Sequence, residues 1–307
     1  MKISVIIPTY NRCNKLRKSL ESFLNQTITH SEYEILVIND GSNDRTRECM
    51  TEFISCNKNV FYFEQDNKGP ASARNIGIKH AKGKYLFFTG DDIIASRNLL
   101  KTHLEMLELY KDIAVLGFTT WNKSINVTKF MDFLIYKGYQ FDYRKLKHGQ
   151  FCSYKAFYTS NISLEKHWFD TELFDGNFPY AAWEDIELGY RLCQKGLKII
   201  FNEKAIAFHH HEISEKEFYN RVWLGSRSEL YIYKKHPELK NLNHRKIRTQ
   251  LILLLLKGRN IYNLIFRFFR LYSLVWKLNI CYYNNLGILC GLKDINYLGM
   301  PLKKVTQ

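Results

Sequence analysis

One stretch decides the fold: Tyr85-Leu86-Phe87-Phe88-Thr89-Gly90-Asp91-Asp92. Its aromatic and apolar residues predict a buried strand, and its two adjacent acids place negative charge at the C-terminal end of that strand. Ligands bind at this end of the strands in open α/β sheets. Carboxylate oxygens are the ligands that Mg²⁺ or Mn²⁺ prefers when the ion also holds a diphosphate. The stretch therefore predicts a metal-assisted ligand site at one sheet edge.

Strand and helix signals alternate on both sides of this stretch. Apolar runs and helical spacing predict strands at 4–7, 33–38, 60–63, 85–88 and 113–118, and helices at 14–25, 44–53, 70–81 and 97–110. This β-α-β-α order predicts a mostly parallel sheet with helices on its faces.

The second half of the chain is less regular. We predict a helix at 182–194, one or two strands at 198–208 that end in His209-His210-His211, and a helix at 214–235. The composition shifts near residue 240, where a strongly basic region begins. We therefore predict two domains: an α/β domain at 1–240 and a basic, amphipathic helical region at 241–307.

Composition excludes some classes of protein. The 307 residues are 46% hydrophobic and 15% aromatic, which excludes a largely disordered chain. Seven scattered cysteines without a CxxC pair favour reduced thiols in the cytoplasm. The opening residues do not resemble a signal peptide, which also favours a cytoplasmic location.

The net charge of +15 is concentrated near the C-terminus. Residues 239–293 contain no Asp or Glu but ten cationic residues: Lys240, Arg245, Lys246, Arg248, Lys257, Arg259, Arg267, Arg270, Lys277 and Lys293. Aliphatic and aromatic residues lie between them, without an uninterrupted apolar run long enough to span a bilayer. This pattern favours helices that lie on an anionic membrane surface. A packed helical subdomain with a solvated basic face would give a similar pattern.

Polar segments follow four of the predicted strands. They are Pro8-Thr9-Tyr10-Asn11-Arg12, Asp40-Gly41-Ser42, the segment 66–75 and Asp91-Asp92. In a parallel sheet all four meet at one edge. Tyr10 can stack on a base, Asp40 can accept a hydrogen bond from a base or a ribose, and Arg74 can neutralise a phosphate. Asp-Gly-Ser alone is a common turn, so it is the convergence that indicates a nucleotide site.

Four motifs carry a resemblance to a known family. They are Val5-Ile6-Ile7-Pro8-Thr9-Tyr10-Asn11-Arg12, the segment 37–46, the segment 69–77, and Trp183-Glu184-Asp185-Ile186-Glu187-Leu188-Gly189-Tyr190-Arg191-Leu192. In order and spacing they resemble the family 2 glycosyltransferases with the GT-A fold, over roughly residues 3–235. The resemblance implies a Rossmann-like, mostly parallel mixed sheet. It also implies transfer of a sugar from a nucleotide-sugar to a hydroxyl, with inversion at the anomeric carbon.

The resemblance also implies roles for the strand-end residues. The nucleotide would be held by Pro8, Thr9, Tyr10, Arg12, Asp40, Arg74, Gly90 and Asp91. Mg²⁺ or Mn²⁺ would be held by Asp91 and Asp92, with a histidine contribution from His211 first and His209 second. The chain departs from the family's Asp-x-Asp motif, because Thr89 stands in place of the first acid. Mg²⁺ needs few protein ligands when phosphates complete its shell, so we expect activity to persist.

Asp185 is the expected general base, since an inverting displacement requires a carboxylate that takes the proton of the acceptor hydroxyl. Glu184 is the second acid of the pair, with acceptor contact as its other possible role. The start of a helix favours an ionised acid there, although capping alone would also place acids at this point. The resemblance assigns Asn161 and Trp183 to the acceptor and sugar pocket, where Asn161 could equally be a turn residue.

The leading hypothesis is a cytoplasmic enzyme on the inner face of the cell membrane that builds a cell-surface polysaccharide. Its donor would be a UDP-sugar, and its acceptor a glycan or lipid-linked glycan. One alternative is transfer to a polyprenyl phosphate. Alternatives from another class are an inactive nucleotide-binding protein and a nucleic-acid-binding protein. The pI of 9.3 suggests the last, but the basic residues alternate with aliphatic ones, which disfavours nucleic acid as a partner.

Overall fold

A computed structural model describes residues 1–239, 242–268 and 270–298. The strands are β1 (Ile3–Thr9), β2 (Tyr33–Asn39), β3 (Val60–Glu64), β4 (Tyr85–Thr89), β5 (Ile93–Ala95), β6 (Ile113–Trp121), β7 (Phe151–Cys152), β8 (Asn161–Glu165) and β9 (Lys198–His209). The helices are α1 (Cys13–Leu24), α2 (Thr46–Cys56), α3 (Pro70–His80), α4 (Leu99–Leu109), α5 (Lys129–Tyr136), α6 (Glu184–Gln194), α7 (Glu215–Lys235), α8 (Leu242–Leu255), α9 (Arg259–Phe268) and α10 (Tyr272–Leu298).

The strands form one mixed sheet in the order β3-β2-β1-β4-β8-β6-β9-β5, with β7 paired to β9. The first four of these are parallel to one another, and β6 is parallel to β9. Strand β8 runs antiparallel to both β4 and β6. The predicted mostly parallel mixed sheet with flanking helices is confirmed. Strands β5, β7 and β8 were not predicted. The first and second are too short to give a distinct pattern, and pairing with the distant strands β4 and β6 holds β8 in place.

Both faces of the sheet are covered, because side chains alternate along each strand. In β1, Val5 and Ile7 pack on the α1 side, whereas Ile6 packs on the opposite face. Gly77 in α3 permits this second contact, since a Cβ there would lie 2.5 Å from Ile6 Cγ2. Because β1, β2, β3 and β4 pair in parallel, their C-terminal ends lie at one edge of the sheet, as the sequence predicted.

The chain divides into two compact units. The first contains residues 1–127, 134–176 and 185–212, and the second contains 128–133, 177–184 and 213–307. The predicted boundary at residue 240 therefore differs from the structure, which places α7 with the C-terminal helices. The reason lies inside the second unit, where α7 packs along α10. Gly287 permits this approach, since a Cβ there would lie 2.3 Å from the Trp223 carbonyl oxygen.

Within the second unit, α7 begins at Ser214, whose hydroxyl accepts the Glu217 N–H while the Glu217 carboxylate accepts the Ser214 N–H. Among the described residues, no helix combines the length and apolar character that crossing a bilayer requires. Lys240 and residues 299–307 of the predicted basic region lie outside the described residues. The same holds for the side chains of Arg245, Lys246, Lys257 and Lys293.

Candidate active site

The two acids after β4 are buried at the predicted sheet edge. Asp91 accepts a 2.8 Å hydrogen bond from the Thr9 hydroxyl at the end of β1. Arg12, which directly precedes α1, donates from Nη1 to Asp91 Oδ1 at 3.2 Å and to Asp92 Oδ2 at 2.9 Å. The structure thus brings together four predicted nucleotide and metal residues, Thr9, Arg12, Asp91 and Asp92, because β1 and β4 are neighbours in the sheet.

The two histidines predicted as metal ligands also lie beside Asp92. His209 Nε2 is 3.7 Å from Asp92 Oδ1, and His211 Nδ1 is 3.5 Å from Asp92 Oδ2. The pairing of β5 with β9 brings them there, because Ile93 is opposite His209. The main-chain N–H of His210 donates to the Asp92 carbonyl at 2.7 Å. His209 and His211 therefore both lie beside Asp92, whereas the His210 ring lies 3.0 Å from Lys18 Nζ.

The two acids have opposite electrostatic environments. Burial and the neighbouring charge of Asp92 raise the pKa of Asp91 to about 6, against the opposing effect of Arg12 and Thr9. Burial also acts to raise the pKa of Asp92, but His209, His211 and Arg12 outweigh it and hold that pKa well below its usual range. The negative charge of the pair therefore lies mainly on Asp92, the acid beside the two histidines, where it would stabilise a cation.

Asp40, at the end of β2, organises the loop that follows β3. Its Oδ1 accepts hydrogen bonds from Gln65 Nε2 at 2.5 Å and from the Lys68 N–H at 2.8 Å, and its Oδ2 accepts the Gly69 N–H at 2.8 Å. Gly69 has φ +86°, a conformation that glycine adopts without strain. The carboxylate therefore holds the loop. Among the residues that the structure describes, one hydrogen bond reaches Oδ2, and a carboxylate oxygen can accept a second.

The remaining predicted nucleotide residues lie on the same unit. Pro8, Tyr10 and Gly90 are each partly buried. Arg74 is buried in α3 with its Cζ atom 5.4 Å from the centre of the Phe174 ring. Asn75, beside it, exchanges two hydrogen bonds with the main chain of Phe174. The segment 69–77 therefore anchors a neighbouring loop in addition to any contact with a ligand.

Asp185 lies in the first turn of α6, as predicted. Its Oδ1 accepts the Ile186 N–H at 2.8 Å, and its Oδ2 accepts weaker hydrogen bonds from the Thr159 N–H at 3.3 Å and the Thr159 hydroxyl at 3.4 Å. These contacts orient a partly buried carboxylate in the first turn of α6. A carboxylate fixed in this way can accept a proton from a bound hydroxyl group.

The rest of the α6 motif has structural roles. Leu188 and Leu192 are fully buried, and a Cβ at Gly189 would lie 2.5 Å from Phe157 Cβ, so only glycine allows this close packing. Arg191 forms a bidentate ion pair with Glu187, with both distances 2.9 Å, and also contacts Glu172. These contacts tie α6 to the segment before it and thereby position Asp185.

Asn161 does not line an open pocket in this structure, contrary to the expectation from the sequence. Its side chain is 0% exposed; its Oδ1 lies 2.9 Å from His103 Nε2, and its amide donates to the Ala205 carbonyl. Ser163 lies 2.7 Å from the other ring nitrogen of His103. Burial lowers the pKa of His103 to about 4, so the ring is neutral and Asn161 belongs to a core network.

Trp183 and Glu184 belong to the second unit. Trp183 has φ +74°, a strained conformation for a bulky residue, and Glu184 is buried.

Thr89, which replaces the first motif acid, is also buried, and its hydroxyl donates to the Ser160 carbonyl at 3.1 Å. Thr89 is therefore part of the buried core, at the position where the family motif has a carboxylate.

Sequence reasoning missed two lysines on α1. Lys15 Nζ is 2.7 Å from His211 Nδ1, and Lys18 Nζ is 3.0 Å from His210 Nε2. A spacing of three residues after Arg12 places Lys15 and Lys18 on one side of the helix. This spacing was visible in the sequence, but the histidines that the lysines meet are almost 200 residues away.

A cavity of about 730 Å³ opens beside the first turns of α1 and α2. Its lining is Asn11, Arg12, Cys13, Asn14, Lys15, Arg17, Asp44, Arg45, Glu48, Cys49 and Glu52. Asp44 connects the two helices, because it accepts the Cys13 N–H and the Thr46 N–H. The lining does not include Asp40, Asp91 or Asp185. We therefore place the candidate active site at these carboxylates and not in this cavity.

Comparison with known proteins identifies the family. The model of glycosyl transferase family 2 matches residues 4–168, which is more than half of the chain. The chain belongs to glycosyl transferase family 2. The matched residues include β1 to β4 and the acid pair, so the family assignment covers the strand-end cluster but ends before Asp185, His209 and His211.

Relatives in the family share limited segments with this chain. An uncharacterised glycosyltransferase of Rickettsia bellii is 47% identical over 107 residues, which is 35% of this chain and 15% of that protein. A poly(ribitol-phosphate) beta-glucosyltransferase of Bacillus spizizenii is 36% identical over 118 residues, 38% of this chain and 19% of that protein. The chain thus matches less than a quarter of the length of these relatives.

Solved structures show the same GT-A glycosyltransferase fold. TarS 1–349 of S. aureus, in complex with UDP, is similar with a TM-score of 0.56 at 16% identity, over 97% of this chain and 93% of that one. The mannosyltransferase PcManGT of Pyrobaculum calidifontis, with GDP-Man and Mn²⁺, has a TM-score of 0.60 at 13% identity, over 97% and 76%. At these identities the comparison establishes the fold.

Proposed function

We propose that this family 2 domain transfers a sugar, with inversion, from a UDP-sugar to a hydroxyl of a glycan or lipid-linked glycan in cell-surface polysaccharide synthesis. The observation that carries the proposal is the convergence of Thr9, Arg12, Asp91 and Asp92 with the two histidines at the C-terminal edge of the sheet. The poly(ribitol-phosphate) glucosyltransferase relative supports a cell-surface polymer as acceptor.

Asp40 and Tyr10 are the proposed nucleotide contacts. Uracil presents one ring N–H, and the free acceptor position on Asp40 Oδ2 can bind it. Tyr10 lies two residues before Arg12, where a partly buried ring can stack on the base. The complex of TarS with UDP supports UDP as carrier.

The site residues fit a divalent metal. Two carboxylates and two imidazoles lie together here, and these are ligand types that suit Mn²⁺ or Mg²⁺. Among the residues that the structure describes, no three acidic, histidine or cysteine groups are already arranged as a metal cage. Asp91 and Asp92, aided by His211 or His209, would hold the ion, which would neutralise the diphosphate as it leaves.

Asp185 is the proposed base. Its carboxylate takes the proton of the acceptor hydroxyl, the hydroxyl oxygen bonds to the anomeric carbon, and the bond from that carbon to the diphosphate breaks. The diphosphate leaves with the electron pair. Thr159 and the Ile186 N–H orient the carboxylate throughout. Glu184 and Trp183 are proposed to contact the acceptor and sugar. Asn161 has no such proposed contact, because its side chain is buried in the core beside His103.

A donor panel tests this function. The full chain is mixed with UDP-, dTDP- and GDP-sugars in Mn²⁺, in Mg²⁺ and in chelator, and both donor binding and slow hydrolysis are measured. We expect one UDP-sugar to bind tightly and to hydrolyse in the presence of metal, and both signals to fall at least tenfold in chelator. Binding of none of the donors would contradict the proposal and favour an inactive relative.

We further propose that the C-terminal helices dock on an anionic membrane surface. Helix α9 packs on α10 through polar groups: Asn263 donates to Asn279 Oδ1 at 3.1 Å, and Arg259 lies 4.0 Å from the centre of the Tyr282 ring. Its opposite face exposes Ile261, Leu264 and Phe268 at 65%, 72% and 80%. This is the reverse of a core-facing amphipathic helix, because the apolar face is directed to solvent.

The cationic residues around this apolar face favour an anionic membrane as its partner. Residues 239–293 contain no acid, and Arg248, Arg267, Arg270 and Lys277 are exposed cationic residues near α9 in sequence. Apolar side chains inserted among lipid headgroups, with cations beside them, are typical of helices that bind anionic membranes. Such a surface also explains why large apolar side chains can remain exposed to solvent in the isolated chain.

A triple variant tests the membrane surface. Replacing Ile261, Leu264 and Phe268 with serine is expected to lower partition onto vesicles rich in phosphatidylglycerol at least tenfold, because each lost side chain removes apolar burial. The matched control replaces Leu109, Tyr136 and Phe151, which are exposed in the first unit, and should leave partition unchanged. Undiminished partition of the α9 variant would contradict the proposal. A concentration-dependent dimer that the variant abolishes, without vesicle binding, would instead assign this face to a second copy.

A further inference from the structure

Arg12 occupies the position of a counter-ion to the acid pair. One of its nitrogens, Nη1, donates to both Asp91 and Asp92, at 3.2 and 2.9 Å. Both carboxylates are nearly buried, whereas the Arg12 side chain is 41% exposed. The released guanidinium can therefore be hydrated at little cost. The buried acids, in contrast, need another cation when it leaves.

Protein cations also lie beside the rest of the proposed metal site. His211 Nδ1 lies 2.7 Å from Lys15 Nζ, and Asp92 is in reach of both histidines. Thr89 removes one negative charge that the family motif would place here. The two acids carry up to two negative charges, and Arg12 cancels one, so at most one remains to attract a free divalent ion. The acid pair is consequently a weak metal site while Arg12 is bound to it.

We propose that Arg12 holds the acid pair until a metal-bound diphosphate displaces it, so that the metal enters together with the donor and not before it. Metal and Arg12 compete for the same carboxylate oxygens. A diphosphate changes the balance because its oxygens complete the metal shell and also accept the released guanidinium in a bidentate pair. This inference rests on the proposed function, and it makes Arg12 a donor-binding residue that sets the order of binding.

Binding of Mn²⁺ to the full chain tests the proposal, measured as loss of the free Mn²⁺ signal in electron paramagnetic resonance. We expect wild-type protein to bind Mn²⁺ alone at least tenfold more weakly than it binds Mn²⁺ in the presence of UDP. Arg12→Gln should bind Mn²⁺ alone at least tenfold more tightly than wild type, and should lose most of the gain that UDP provides. Arg17→Gln is the matched control, because Arg17 is on α1 and pairs with Glu52 instead.

A second variant keeps the test decisive if Arg12→Gln does not fold. Arg12→Lys keeps the charge, but the lysine side chain is one atom shorter than that of arginine, so its Nζ does not reach the point from which Nη1 contacts both carboxylates. We expect this variant to bind Mn²⁺ alone at least threefold more tightly than wild type. Equal Mn²⁺ affinity in wild type and in the folded Arg12 variants would overturn the inference while leaving the transferase proposal intact. Absence of Mn²⁺ binding in every protein, with UDP, dTDP or GDP present, would overturn both.

Discussion

Replacing Asp185 with asparagine is expected to lower kcat for sugar transfer about a thousandfold, within the range observed for loss of a general base. Asparagine has nearly the same shape and retains one oxygen that can accept from Thr159 or from the Ile186 N–H. The amide cannot take a proton from the acceptor hydroxyl, so the chemical step alone should be affected. Initial rates at saturating donor and acceptor, together with UDP affinity by calorimetry, would separate the two effects.

The control for this variant is Asp142→Asn. Asp142 is also a carboxylate of the first unit, but it is half-exposed and pairs with Arg144. Its loss should leave both kcat and UDP affinity within about twofold of wild type, since exposed ion pairs contribute little. A fully active Asp185→Asn enzyme would remove Asp185 as the base and direct attention to Glu184. Loss of UDP binding in that variant would mean that Asp185 acts on the donor.

Replacing Arg191 with methionine is expected to lower the free energy of unfolding by about 3–5 kcal/mol, because it removes the cation that forms an ion pair with the buried Glu187 carboxylate. Glu187 is 1% exposed and receives two hydrogen bonds from Arg191. Glu172 also loses a contact but retains Lys195 at 2.6 Å. Urea unfolding followed by circular dichroism would measure the loss.

Two further variants show whether burial causes this loss. Arg144→Met breaks a pair with similar geometry, 2.7 and 2.9 Å, that lies half-exposed, and it should cost less than about 1 kcal/mol. The double variant Glu187→Met with Arg191→Met removes the buried carboxylate as well and should restore at least half of the stability. Equal costs for Arg191→Met and Arg144→Met would contradict the argument, because they would show that Glu187 is adequately solvated.

Several features of the fold and the site could be predicted from the sequence, because residues close together in the chain carry the signal. The spacing of Leu16, Leu20 and Phe23 marks one face of α1, and the acids after Phe88 mark the end of β4. Asp185 was located because the α6 motif has a recognisable pattern in the family. The short strand β5 and the antiparallel strand β8 could not be predicted, since pairing with distant partners holds them in place.

The sequence by itself determined the alternation of strands and helices, the strand ends that carry polar residues and the acid pair at the start of α6, for which the role of base stays a prediction. Each depends on periodicity or on a motif within about ten residues. Only the tertiary structure decided that Arg12 lies on the acid pair, that Asn161 is buried beside His103, and that α9 directs its apolar face outward. These outcomes depend on which segments become neighbours, up to 196 residues apart in the case of Lys15 and His211. Sheet order and helix packing set those neighbours, and a local pattern does not encode them.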